Sequence, residues 1–183
     1  MLKPQRNLSR ELVSLDGLWE FRRDPAAEGE GLGWASGFLP EFQLAVPGSW
    51  NEQRGGLADY FGVGWYQTRL AVPASWTGRG VMLHLGSVQR RGRVWLNASL
   101  VGTSDCGSLP FECDLAPCLR PGMDNLLVIE VDGSLDPWDL PPACLDESEA
   151  RAGFHRSNPS VSYDFFPFAG ITRTVAVQVT ARF

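Results

Sequence analysis

Residues 126–131 read Leu126-Leu127-Val128-Ile129-Glu130-Val131, between Asp124-Asn125 and Asp132-Gly133. The run is too short for a globular helix, and it is apolar at successive rather than alternate positions. Such a run fits a strand buried on both faces, in the middle of a sheet that is covered above and below. Working outward, short runs of strand chemistry recur between turn residues: Leu18–Arg22, Phe42–Val46, Trp65–Val72, Val81–Leu85, Arg93–Asn97 and Thr174–Val179, with Phe111–Cys113 a weaker case. Gly, Pro, Asp and Asn punctuate them, as at Asp16-Gly17, Pro47-Gly48 and Pro73. Amphipathic helical periodicity is almost absent, so parallel βαβ units have no crossover helices. The pattern predicts an all-β antiparallel sandwich or jelly roll of about eight strands, with short helical turns near 73–76 and 114–117.

The chain has 183 residues, which is room for one domain of ordinary size over residues 1–183. A (β/α)₈ barrel needs about 200–250 residues and does not fit. A net charge of −5 argues against nucleic acid as a partner. No stretch approaches the 18 or so apolar residues of a membrane-spanning helix. The start, Met1-Leu2-Lys3-Pro4-Gln5, lacks the apolar core of a secretory signal, so a cytoplasmic location is expected. Cys106, Cys113, Cys118 and Cys144 form no C-x-x-C pair, and the histidines are His84 and His155. A metal site is therefore not expected, nor is any cofactor, and the cysteines are read as free thiols.

No catalytic residues stand out. Twenty-one acidic side chains offer many carboxylate pairs, and spacing singles out none. No G-x-S-x-G elbow is present. Gly29 to Gly33 has a Gly-x-Gly-x-Gly spacing but no following G-K-[ST], and Glu28 and Glu30 would repel phosphate; it is read as a flexible loop. A second long, weakly patterned segment covers 135–162. The stretch Ser162-Tyr163-Asp164-Phe165-Phe166-Pro167-Phe168-Ala169-Gly170-Ile171-Thr172-Arg173 packs four aromatics around one carboxylate. Read structurally, the rings fill a core, Gly170 permits a bend and Arg173 pairs with an acid. Read functionally, Asp164 on an aromatic platform accepts hydrogen bonds from sugar hydroxyls.

Several blocks, in order, carry a family resemblance: Glu11-Leu12-Val13-Ser14-Leu15-Asp16-Gly17-Leu18-Trp19-Glu20-Phe21, Val46-Pro47-Gly48-Ser49-Trp50-Asn51-Glu52-Gln53, Arg93-Val94-Trp95-Leu96-Asn97, Leu109-Pro110-Phe111-Glu112 and Asp164-Phe165-Phe166-x-Phe168-Ala169-Gly170-Ile171-x-Arg173. Through them the chain resembles, nearly end to end, the amino-terminal sugar-binding domain of family 2 glycoside hydrolases. The Asp-Phe-Phe block favours the β-glucuronidase branch over the β-galactosidase and β-mannosidase branches.

The resemblance implies a jelly-roll, galactose-binding-domain-like sandwich. In the family an immunoglobulin-like sandwich follows, and then a barrel with both catalytic glutamates. This chain is expected to lack both, to hold no catalytic residue and to be inactive alone. The implied substrate-binding residue is Asp164, with Gly170 and Arg173 structural, and the implied ligand is a glucuronide. Self-association or docking onto a catalytic barrel is the implied partner relation. A free-standing, lectin-like carbohydrate-binding module is the alternative. It needs an exposed aromatic without packing partners, and Trp34 and Trp138 are the candidates. The family hairpin Asn-Gly is here Asn97-Ala98. A type I′ turn needs positive φ at both residues, so this turn is either strained or of another type.

Overall fold

The computed structural model describes residues 4–138, 142–145, 159–161 and 166–181. In chain order its strands are β1 (Arg10–Ser14), β2 (Gly17–Asp24), β3 (Phe42–Val46), β4 (Gly48–Ser49), β5 (Val63–Ala71), β6 (Gly80–Leu85), β7 (Val88–Gln89), β8 (Arg91–Leu96), β9 (Ser99–Ser104), β10 (Phe111–Asp114), β11 (Asp124–Asp132), β12 (Ala143–Leu145), β13 (Pro159–Val161), β14 (Gly170–Ile171) and β15 (Val175–Thr180). One four-residue helix, α1 (Trp50–Gln53), and 3₁₀ turns at Trp34–Ser36, Gly55–Leu57 and Ala74–Trp76 complete the described residues. Two antiparallel sheets form the sandwich, in the orders β1-β15-β6-β10 and β3-β2-β5-β11-β8-β9. A small sheet, β4-β14-β7, joins them, and β12 pairs with β13 inside the long 135–162 segment. The expected all-β sandwich is what the chain forms.

The run at 126–131 lies in β11, between β5 and β8, with Ile129 opposite Tyr66 on one side and Val94 on the other. Alternation then divides its side chains. Leu127, Ile129 and Val131 face the main core, where they meet Val81, Leu83 and Leu85 of β6 and Val175, Val177 and Val179 of β15. Val128 faces outward, into a second cluster with Trp65 and Trp95. Those two indoles stack at 5.1 Å and 24°.

That second cluster is roofed by the segment after β2, and here the reading of a flexible loop is corrected. The Asp24 carboxylate, only 4% exposed, accepts from the backbone N–H of Glu28 (3.0 Å) and Gly29 (2.7 Å) and from Trp65 Nε1 (3.0 Å). A Cβ on Gly29 would sit 2.6 Å from both Trp34 and Trp65, so only glycine lets the backbone press this close to the indoles. Trp34 then lies edge-on to Trp65 at 5.9 Å, with the Arg22 guanidinium over its other side at 4.5 Å. Farther out, Arg93 grips Glu30 through two bonds of 2.7 and 2.6 Å, and this pairing holds the Glu30 carboxyl below its ordinary range.

The β8–β9 hairpin turns through Asn97 (φ 51°) and Ala98 (φ 69°), the backbone of a type I′ turn. Asn97 suits it. Its amide bonds Asn125 Oδ1 and the Cys118 carbonyl, and its carbonyl oxygen accepts from Leu126 N. The exposed Ala98 carries a left-handed conformation that glycine would hold without strain. Ala98→Gly is expected to raise stability by about 1 kcal/mol, after the extra freedom of the unfolded chain is subtracted. Urea unfolding checks this, and a loss of stability would show that the turn is not strained.

Candidate functional site

Asp164 itself lies outside the described residues, as do the flanking Tyr163 and Phe165. What the structure describes is the frame that the motif enters. Ala169 N–H donates to Asn51 Oδ1 at 2.9 Å, and Trp50 N–H donates to the Ala169 carbonyl at 3.1 Å. Gly170 then pairs with Ser49 on one side and Gln89 on the other. Its φ is +130°, and a Cβ there would fall 2.8 Å from the Gly48 carbonyl oxygen. No other residue fits this close crossing.

The supporting layer comes from the Pro47–Gln53 block. Ser49 caps α1 by accepting from Asn51 N–H at 3.1 Å. Asn51 is buried, and its amide donates to the carbonyls of Leu57, Ala58 and Tyr60, each at 3.1 Å. One side chain thus ties α1, the 54–60 turn and the motif at Ala169. Trp50 is fully buried beneath them, with Nε1 donating to the Tyr60 carbonyl at 2.9 Å. Burial pushes the Tyr60 phenol up to about 12 and raises Tyr66 further, so both stay neutral. Sequence reasoning placed Asn51 in a motif but gave it no role; nothing in its spacing announces two N–H groups shared among three carbonyls and an oxygen held by Ala169.

On the chain's approach to this frame, Phe166 is exposed and stacks on Phe168 at 5.3 Å and 12°. Trp138 is 93% exposed. Its backbone N–H donates to Asp136 Oδ1. Of the two indoles singled out as sugar platforms, Trp138 is therefore open and Trp34 is packed.

Arg173 follows β14 on a bend and is exposed. No acidic side chain among the described residues pairs with it, and the acids of the segments at 146–149 and 164 lie outside the described residues. Arg173 borders a cavity of about 380 Å³ that His84 also lines. His84 Nδ1 lies 3.2 Å from Glu112 Oε1, across the β6–β10 pairing.

Among the described residues no cluster of His, Cys, Asp and Glu is arranged to hold a metal ion. Cys106, Cys113 and Cys118 are free thiols. Burial raises the Cys113 thiol to about 12, which leaves it unreactive.

Comparison with known proteins places this geometry. The model of the glycosyl hydrolases family 2 sugar binding domain matches residues 12–181. The β-glucuronidase of Paenibacillus borealis is 34% identical over 187 residues, covering 99% of this chain and 31% of that protein. The apo structure of a β-glucuronidase from Ruminococcus gnavus superposes with a TM-score of 0.86 at 30% identity, covering 98% of this chain and 30% of that one. The same enzyme in complex with D-glucuronic acid superposes at 0.85 and 29% identity, covering 98% and 31%. The chain thus spans under a third of the length of these relatives. Within that span the sandwich and the family match agree, and the chain belongs to the sugar-binding domain of the family 2 glycosyl hydrolases.

Proposed function

We propose that the chain is the non-catalytic, sugar-contacting part of a β-glucuronidase-like hydrolase, and that Asp164 bonds the hydroxyls of a glucuronide. The observation that carries this reading is the frame at Ala169–Ile171. Asn51, Ser49 and Gln89 hold the backbone five to seven residues after Asp164 in one geometry, which is what an ordered polar contact to a ligand needs. The role assigned is binding, not bond cleavage, so the pure chain is expected to leave an aryl glucuronide intact. Its free thiols support a reducing, cytoplasmic setting. Docking onto a catalytic barrel is part of the same proposal; exposed Phe166 and Trp138 offer apolar surface for it.

Calorimetric titration with D-glucuronic acid and an aryl glucuronide tests the assignment. Saturable binding that Asp164→Ala weakens at least about tenfold is the expected result, the loss of one charge-assisted bond. Equal binding by the variant would remove Asp164 from the site. The lectin-like reading retains one observation, the open indole of Trp138. It predicts that neutral glycans bind the chain and that Trp138→Ala abolishes this.

A further inference from the structure

The cavity over His84 has the makings of a ligand site that the family assignment leaves unused. His84 projects from the outer face of β6, yet it is only 3% exposed. The carboxylate of Glu112 is an acceptor only, so Nδ1 carries the hydrogen of their 3.2 Å contact. In the neutral ring Nε2 is then an acceptor, and among the described residues it has no partner. A nearly buried imidazole that lines a cavity, with one nitrogen anchored and the other without a partner among the described residues, is a preset hydrogen-bonding group.

Arg173 lines the same cavity, exposed, with no carboxylate to pair with among the described residues. Its position is built rather than incidental. Gly86 leaves room for the crossing, since a Cβ there would lie 2.8 Å from the Arg173 Cβ. The bend is pinned on both sides, by Thr172 N–H to the Ser87 carbonyl (3.1 Å) and by Gly86 N–H to the Thr174 carbonyl (3.0 Å). Thr172 and Thr174 also border the cavity, and Pro47 and Pro110 give it stiff apolar walls. At about 380 Å³ it falls in the range of small-ligand pockets, roughly 300–1,000 Å³.

A guanidinium fork calls for a carboxylate, and a lone imidazole acceptor calls for a hydroxyl. We propose that this cavity binds a small hydroxylated carboxylic acid of the sugar-acid class, with Arg173 donating to the carboxylate and His84 Nε2 accepting from a hydroxyl. Glu112 fixes the His84 tautomer and so acts as a positioning residue. The walls leave one face open, which suits a ligand that enters and leaves freely and binds in the millimolar range.

The chain contains two histidines, so side-chain imidazole NMR reports the site directly. His84 signals are assigned by their survival in His155→Gln. Titration with D-glucuronate is expected to shift them saturably. D-glucose, which lacks the carboxylate, and propionate, which lacks the hydroxyls, are each expected to bind at least about tenfold more weakly. Arg173→Gln, an exposed change that leaves the core untouched, is expected to weaken glucuronate at least about tenfold. Asp164→Ala is expected to leave the His84 shifts unchanged, which separates this site from the function proposed above. Silent His84 signals, glucose or propionate binding as tightly as glucuronate, an unchanged affinity in Arg173→Gln, or loss of the shifts in Asp164→Ala would each overturn the proposal.

Discussion

Replacing Trp50 by alanine is expected to destabilise the chain by about 4 kcal/mol, the scale of losing a buried indole together with the cavity it leaves. Trp50 is fully buried, and its ring centroid lies 5.6 Å from Phe21, 5.9 Å from Tyr60 and 6.3 Å from Tyr66. Gly133 is a glycine in part because a Cβ would reach within 2.8 Å of this indole. Phe21 and Tyr66 sit opposite each other on the paired strands β2 and β5, so neither can follow the deleted ring without moving the sheet. With a urea m-value of about 2 kcal/mol/M, the midpoint should fall by about 2 M. Trp50→Phe should recover part of this but not the bond to the Tyr60 carbonyl. A fall of less than about 0.5 M would show that the region relaxes far more than its packing implies.

Asp24→Ala is expected to be nearly as costly, about 3 kcal/mol or more, by a different mechanism. The carboxylate satisfies three donors in a site closed to water, and each buried donor left without an acceptor costs about 1–3 kcal/mol. The Arg93–Glu30 pair on the same roof cannot compensate, because exposed ion pairs contribute about 0–1 kcal/mol. Damage should concentrate in the roof over Trp65 and Trp95. A glutamyl endoproteinase should cut the variant at Glu28 or Glu30 under conditions where the native chain resists. Asp24→Asn should be intermediate, because its amide group meets donors rather than acceptors. A variant that keeps both the native urea midpoint and the native resistance would show that the roof does not depend on Asp24.

These two residues also mark where sequence was and was not informative. Strands that carry the main core announced themselves. Val81–Leu85, Leu126–Val131 and Thr174–Val179 are apolar because both neighbours and a facing sheet cover them, and each coincides with a strand to within two residues. The edge strands β1 and β9 went unread. Arg10–Ser14 and Ser99–Ser104 pair on one side only and stay half exposed, so their composition is that of a loop. The roof was misread because glycine marks both looseness and close approach, and only the neighbour of Gly29 decides between them. In the site, Gly170 was legible as a backbone device within its motif. The Asp24 and Asn51 networks were not, since their partners lie up to 41 and 118 residues away along the chain. His84 and Glu112, 28 residues apart, meet only because β6 and β10 pair in one register.

The place of β15 has a consequence for how this chain is made. Residues 175–180 lie between β1 and β6, so the first strand of the fold and the sixth share no hydrogen bonds and are bridged only by the last one. On the ribosome, β6 emerges long before its neighbour exists. The facing sheet is complete once residue 132 is out, but until residue 180 leaves the exit tunnel the strand of Val81, Leu83 and Leu85 has one open edge. The sheet of β1, β15, β6 and β10 therefore closes only once residue 180 has emerged, and a nascent chain halted before residue 175 is the species that a chaperone must hold.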